Sequence, residues 1–191
     1  MPNWCENRLE ITANTAEELK TVLESVIRIN NINKDHYKYD EFILDFELLL
    51  PMPKELNPEI DSNYLENFEK YGAGDWYEWR YKYWGVKWNA NTQYCPDYDA
   101  NNTEYSIDFD TPWCAPEAWF KVLIKKFPDV KFKLIYFEPG MFFAGIYSSI
   151  DAENCYYQYP ESTSEVKLLA KESGYEDEDE DEDEDWHFDS E

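Results

Sequence analysis

Residues 75–90, DWYEWRYKYWGVKWNA, restrict the fold more than any other stretch. They hold four of the chain's eight tryptophans, Trp76, Trp79, Trp84 and Trp88, with Tyr77, Tyr81 and Tyr83 between them. Rings at that density need a covering surface, in the chain's own core or on a partner. Two periodicities fit. Tyr77, Trp79, Tyr81 and Tyr83 alternate with Glu78, Arg80 and Lys82, as in a strand. Trp76, Trp79 and Tyr83 also share one helical stripe, with Tyr77, Tyr81 and Trp84 on the next. The ends favour the helix. Asp75 is a capping residue, Glu78 follows at capping-box spacing, and Gly85 stands where a left-handed residue ends a helix. The spacing predicts a short helix, then a turn or short strand from Val86 to Asn89 that tucks Trp88 back. The rings are expected first as a satellite core. The alternative is a contact platform, with Trp84, Lys87, Trp88 and Asn89 as its candidate partner-binding residues.

The flanking sequence reads as two β-α-β units. Trp4 to Thr12 is a predicted strand with Leu9 and Ile11 on one face. Asn14 or Thr15 caps a helix with acids in its first turn, where the helix dipole favours them. Leu19, Val22, Leu23, Val26 and Ile27 form its core stripe, and Asn30-Asn31 is a plausible end. Phe42 to Leu50 is a predicted second strand, stopped by Pro51 and Pro53. Asp61 to Tyr71 is a candidate helix with Tyr64, Leu65 and Phe68 inward, and Asn91 to Asn102 reads as loop. Glu104 to Asp110 is strand three, Pro116 opens a helix that buries Trp119, Val122 and Leu123, and Lys131 to Phe137 is strand four. Glu138-Pro139-Gly140 is a turn, and Met141 to Ile150 returns as a hairpin strand. The expected fold is α+β: a ferredoxin-like split β-α-β sheet with an aromatic-rich helical insertion and an added C-terminal strand. The expected division is a domain over 1–160, with the insertion at about 51–103, and an acidic, flexible tail over 161–191.

Charge narrows the function. The formal net charge is -25, and residues 176–191 carry twelve acids without a Lys or Arg. Without them the remaining 30 acids still outnumber the 17 bases, so the body stands at -13. That opposes ordinary binding to a phosphate backbone, where Lys and Arg do the work. It suits a basic protein partner, or imitation of a nucleic acid. No apolar stretch approaches membrane-spanning length, and the N-terminus has no basic flank or apolar core of a signal peptide. Cys5, Cys95, Cys114 and Cys155 are scattered without a C-x-x-C pair, as expected of free thiols in a cytoplasmic protein. No metal or cofactor is expected.

Four motifs, taken in this order, carry a family resemblance. They are Pro2-Asn3-Trp4-Cys5-x-Asn7-x-Leu9, Trp84-Gly85-x-Lys87-Trp88-Asn89-Ala90, Phe109-Asp110-Thr111-x-Trp113-x-x-Pro116, and Glu138-Pro139-Gly140-Met141-Phe142 with Gly145. Together they resemble the YubB-like family of phage- and conjugative-plasmid-encoded proteins, over about residues 1–150. Val86 stands where that pattern expects threonine, and the acidic tail lies outside it. The resemblance implies a ferredoxin-like domain and a mobile-element origin. It supplies no catalytic residues.

The tail supplies the remaining candidates. Glu176, Asp177, Glu178, Asp179, Glu180 and Asp181 open a strictly alternating acidic run, and Trp186 and Phe188 follow it. A solvated tail is the plain reading. The sharper one is a lure for a basic groove, because an extended chain advances about 3.3 Å per residue, near the roughly 3.4 Å per phosphate of one DNA strand. Trp186 and Phe188 would dock while the acids steer. No Walker loop, G-x-G-x-x-G, H-E-x-x-H or G-x-S-x-G occurs. One enzyme reading remains, a tautomerase-like Pro2 amine acting as base with Arg8 as anion clamp. The favoured expectation is a non-enzymatic interaction protein that inhibits a host protein with a basic, nucleic-acid-binding groove, such as a nucleic-acid-guided defence nuclease. A single-stranded nucleic-acid or nucleotide binder that stacks bases on rings is the second. In that case Lys121, Lys125, Lys126, Lys131 and Lys133 would form the basic patch.

Overall fold

The computed structural model describes residues 2–34, 37–60, 63–149, 155–158 and 160–175. In chain order the elements are β1 (Trp4–Thr12), α1 (Ala16–Glu24), β2 (Ile27–Lys34), β3 (Tyr37–Leu44), α2 (Phe46–Leu49), α3 (Tyr64–Tyr71) and α4 (Trp76–Tyr83). They continue with β4 (Asn91–Tyr94), β5 (Glu104–Pro112), α5 (Glu117–Lys126), β6 (Lys131–Glu138), β7 (Phe143–Ser149), β8 (Cys155–Gln158) and α6 (Thr163–Ser173). β1 is the axis. Its odd positions, Cys5, Asn7, Leu9 and Ile11, are buried on one face, the period-two pattern of a half-covered strand. It pairs antiparallel with β5 on one side and β6 on the other. β5 and β6, joined through α5, therefore run the same way with β1 between them, which is the split β-α-β of a ferredoxin-like sheet. β7 returns from β6 as the expected hairpin, and the full order is β4-β5-β1-β6-β7-β8.

The covered face holds one core. α1 contributes Leu19, Val22 and Leu23, and α5 contributes Trp119, Phe120 and Leu123. Phe46 stands at the centre, 4.6 Å from Trp119, 5.7 Å from Trp84 and 6.1 Å from Phe109, ring to ring. Trp79, Trp84 and Val86 join this same cluster, so the aromatic run enters the main core and forms no separate satellite. On the opposite face α6 lies over β6 and β7, where Leu169 and Ala170 bury Ile135, Phe137 and Ala144.

The second predicted strand is corrected. β3 ends at Leu44, and its ladder partner is β2, in a two-stranded sheet apart from the main one. Asp45 then caps α2, its side chain accepting from the Glu47 N–H. The cap stops the strand and turns Phe46 into the core. Likewise α1 stops at Ser25, and Ile27 to Asn31 belong to β2 rather than to a helix. α3 forms close to its predicted range, but Tyr64, Leu65 and Phe68 are exposed, Leu65 by 70%. Its buried residue is Asn67, which donates to Gly74 O at 3.2 Å. Polar contacts hold α3 to α4: the Tyr64 hydroxyl donates to Glu78 at 2.7 Å. Residues from 161 onward, read as the start of the tail, first build α6, capped by Ser162.

Candidate functional site

α4 forms as its ends suggest. The Asp75 carboxylate accepts from the Glu78 N–H at 2.9 Å. Glu78 reaches back to the Gly74 N–H, also at 2.9 Å, one residue before the expected capping-box partner. Gly85 has φ +87° and lies against α5, where a methyl group would stand 3.2 Å from the Ala118 nitrogen. A side chain there would be strained by conformation and crowded by backbone at once. This tight junction sends Lys87 and Trp88 toward the end of the sheet where β1 begins and β5 and β6 finish.

All four sequence motifs meet at that end. Trp4 opens β1 opposite Pro112 of β5. The Trp113 N–H donates to Asn3 O at 2.9 Å. The buried Asn7 amide donates to Thr111 Oγ1 at 2.8 Å and to Cys5 O at 2.7 Å, and Thr111 donates on to Cys114 O. At the end of β6 the buried Glu138 carboxylate accepts from the Gly140 N–H at 3.0 Å and the Met141 N–H at 2.6 Å. A side chain at Gly140 would collide with the Asn3 amide. These buried polar groups shape the loops, each with a bond it would lose on substitution.

What the loops present is apolar. Trp113 is 41% exposed, Phe142 47% and Met141 75%. Trp113 and Phe142 have φ of +66° and +53°, a region that bulky residues rarely occupy. Strain of this kind collects where a surrounding structure holds a residue for use. Trp88 lies 6.1 Å from Trp4 and 6.2 Å from Trp113. The Lys87 ammonium lies 5.0 Å from the Trp88 ring centroid, 5.7 Å from Tyr77, 5.9 Å from Trp76 and 6.0 Å from Trp113.

Two of the four body residues assigned to contact are corrected. Trp84 is wholly buried, and its indole N–H donates to Leu50 O at 3.0 Å. Asn89 ties α2 in place: its Oδ1 accepts from the Phe46 N–H at 2.8 Å and its Nδ2 donates to Asp45 at 2.7 Å. Lys87 and Trp88 do reach the presented end. Glu176, Asp177, Glu178, Asp179, Glu180, Asp181, Trp186 and Phe188 lie outside the described residues. Trp113, Met141 and Phe142 were quoted as motif residues but not assigned to contact. Hydropathy marks such residues as core, and their display depends on loop conformation.

The open half of the other face is acidic. Glu6 and Asp110 stand opposite each other across β1 and β5, next to the Arg8–Asp108 pair. Arg8 donates to both Asp108 oxygens, at 2.7 and 2.9 Å. Burial, then the neighbouring Asp110 charge, raises the Glu6 carboxyl to about 7. Burial raises Asp110 as well, against the amides of Gln93 and Asn91. Glu6, Gln93, Asp108 and Asp110, with Ser173 and Gly174 of the α6 terminus, line a cleft of about 470 Å³. The anion clamp asked of Arg8 is thus already filled by Asp108. Arg8 also lies six positions along from Pro2, roughly 20 Å on an extended strand. Of the proposed basic patch, Lys133 pairs with both Glu10 and Glu172, and Lys121 pairs with Glu117. Burial raises the Cys5 and Cys114 thiols, which keeps them protonated and unreactive. Among the described residues no helix is long and apolar enough to cross a membrane.

A family model described as the ferredoxin-like domain in Api92-like protein matches residues 83–189, more than half of the chain. The chain belongs to this Api92-like family. The Api92-like match starts at the end of α4 and takes in the box at 84–90, β4 to β8 and α6. The crystal structure of protein api92 from Yersinia pseudotuberculosis is similar over 85% of this chain and 99% of its own, at 10% identity and a TM-score of 0.47. No curated protein matches the sequence.

Proposed function

We propose that this Api92-like chain is a non-enzymatic interaction protein, and that the aromatic end of its sheet is the contact surface. The observation that carries this is the display of Trp113 and Phe142 in left-handed backbone, beside the exposed Met141. An exposed apolar cluster shaped by buried hydrogen bonds is costly without a partner to cover it. The partner is a protein with a basic surface of the kind that holds nucleic acid, because the body carries -13 without residues 176–191. The YubB-like resemblance supports reading it as a phage- or plasmid-borne factor that acts in a host cytoplasm, with a nucleic-acid-guided defence nuclease as the most concrete target. The nucleic-acid-binding alternative meets opposition on the sheet. Ferredoxin-like RNA binders stack bases on aromatic residues of the open face; here that face offers Glu6, Asp108 and Asp110 beside Arg8, and α6 covers the β6 and β7 half.

The test is capture from host lysate by the wild-type chain and by a Trp113→Ala, Phe142→Ala double variant. The expected result is a retained protein that nucleic acid competes away and that the double variant fails to hold. Equal capture by both chains would remove the aromatic end as the surface. Direct salt-sensitive binding of single-stranded RNA at micromolar concentration would favour the nucleic-acid reading instead.

A further inference from the structure

Several cations in the molecule lie over rings, and all but two of them have another described partner. Lys70 lies over Tyr71 and pairs with Glu55 at 3.2 Å. Lys82 lies over Tyr83 and donates to Gly72 O at 2.9 Å. Arg80 lies over Trp76 and Trp84 with Glu47 at 3.9 Å. Lys126 faces a single ring, Phe127. Lys87 differs from all of these. Four rings surround its ammonium within 6.0 Å, and among the described residues no carboxylate or carbonyl accepts from it.

The walls come in two pairs. Trp76 and Tyr77, from the first turn of α4, meet edge to face at 87°. Trp88 and Trp113 lie at 30° to each other, with Trp4 behind Trp88. Trp76 and Tyr77 stand on the Asp75-capped helix, Trp88 follows the Gly85 junction, and Trp113 stands in the loop held by Asn7, Thr111 and Asn3. Tyr77 and Trp113 form an exposed rim. The negative ring faces hold a cation by electrostatics without a hydrogen bond, which suits an alkylated ammonium better than a bare one.

We infer that these rings form a cation-binding cage whose resting occupant is the chain's own Lys87, and that a partner's alkylammonium side chain takes its place when Lys87 swings out. Lys87 is tethered beside Trp88 and leaves by rotation of its flexible stem, so the exchange needs no backbone movement. One ammonium replaces another, and the charge in the cage is unchanged. The acidic body raises the local concentration of cationic groups. That the ligand belongs to a protein rests on the reading of this end as a partner surface; the cage itself does not.

Choline separates the two. Titrated at constant ionic strength and followed by the indole N–H signals of Trp88 and Trp113, it should bind the Lys87→Ala chain at least tenfold more tightly than wild type. Adding Trp113→Ala should abolish that gain. Equal affinity for wild type and Lys87→Ala, or binding that survives Trp113→Ala, would overturn the cage. A second reading needs no Lys87 variant. In wild type the Lys87 Cε protons should be shifted upfield by the surrounding rings, and Trp113→Ala should move them toward their free position. Cε protons at the free position in wild type would overturn the resting occupancy. Either failure leaves capture of a basic partner standing, and equal capture by wild type and the Trp113→Ala, Phe142→Ala variant leaves choline binding standing.

Discussion

Trp79 is nearly fully buried, with its ring 5.8 Å from Trp84 and 4.9 Å from Tyr83. Its truncation leaves a cavity that the packed neighbours cannot fill. Trp79→Ala is therefore expected to cost about 3–5 kcal/mol, read from a chemical-denaturation midpoint. Trp113→Ala should cost far less, since the ring it removes is at the surface. A second residue-level expectation concerns acid. Glu6 titrates near 7 in the folded chain, above the usual carboxylate range of an unfolded one. The folded state therefore holds an extra proton between those values, and its stability falls as pH rises through that window. Melting temperatures measured from pH 4.5 to 8 should show a smaller decline in Glu6→Gln than in wild type. The Gln variant should be the more stable chain at pH 8. Identical profiles would mean that Glu6 titrates as an ordinary exposed acid.

At the scale of elements, the junction from α4 to α5 depends on Gly85. Gly85→Ala forces an unfavourable φ and crowds the α5 backbone, so about 1–3 kcal/mol should be lost. A calorimetric melting point unchanged by this substitution would contradict the packing described. The helix ending at Gly85 was legible because caps are local: Asp75 and Gly85 each act within one turn. β1 and β5 were legible because one covered face leaves a period of two, whereas β6, covered on both faces from Leu134 on, was marked by its apolar run and the turn that follows it. The run FILDFELLL was not. Its alternation continues past Leu44 and hides the cap that Asp45 places on α2, a cap held by the tertiary bonds of Asp45 to Arg28 and Asn89. Trp84 was misassigned for a related reason. Sequence gives the direction of a ring about a helix axis, but burial depends on Phe46 arriving from a distant segment. The sheet-end cluster was present in the motifs as four separate strings. Their convergence needed the pairing of β1 with both β5 and β6.

For the whole molecule, charge sets the expected behaviour in solution. Purified chain should bind neither duplex DNA nor single-stranded RNA at physiological salt, measured by fluorescence anisotropy, because its body repels phosphate. Toward a basic partner, added salt should slow association, as exposed charges are screened beyond about 10 Å at 0.1 M ionic strength. Removing residues 176–191 should lower the on-rate more than it raises the off-rate if those acids only steer. Binding that is indifferent to both salt and truncation would discard steering as the mechanism. The central place of β1 in the sheet has a temporal consequence as well. During synthesis β1 leaves the ribosome ahead of both its partners, so Glu6 must wait for Asp110 on one side and Phe137 on the other. At about 5–20 residues per second that delay is on the order of ten seconds. A nascent chain halted before β6 has a strand with one side still unpaired, and is a natural client for a holding chaperone until the last of its sheet is made.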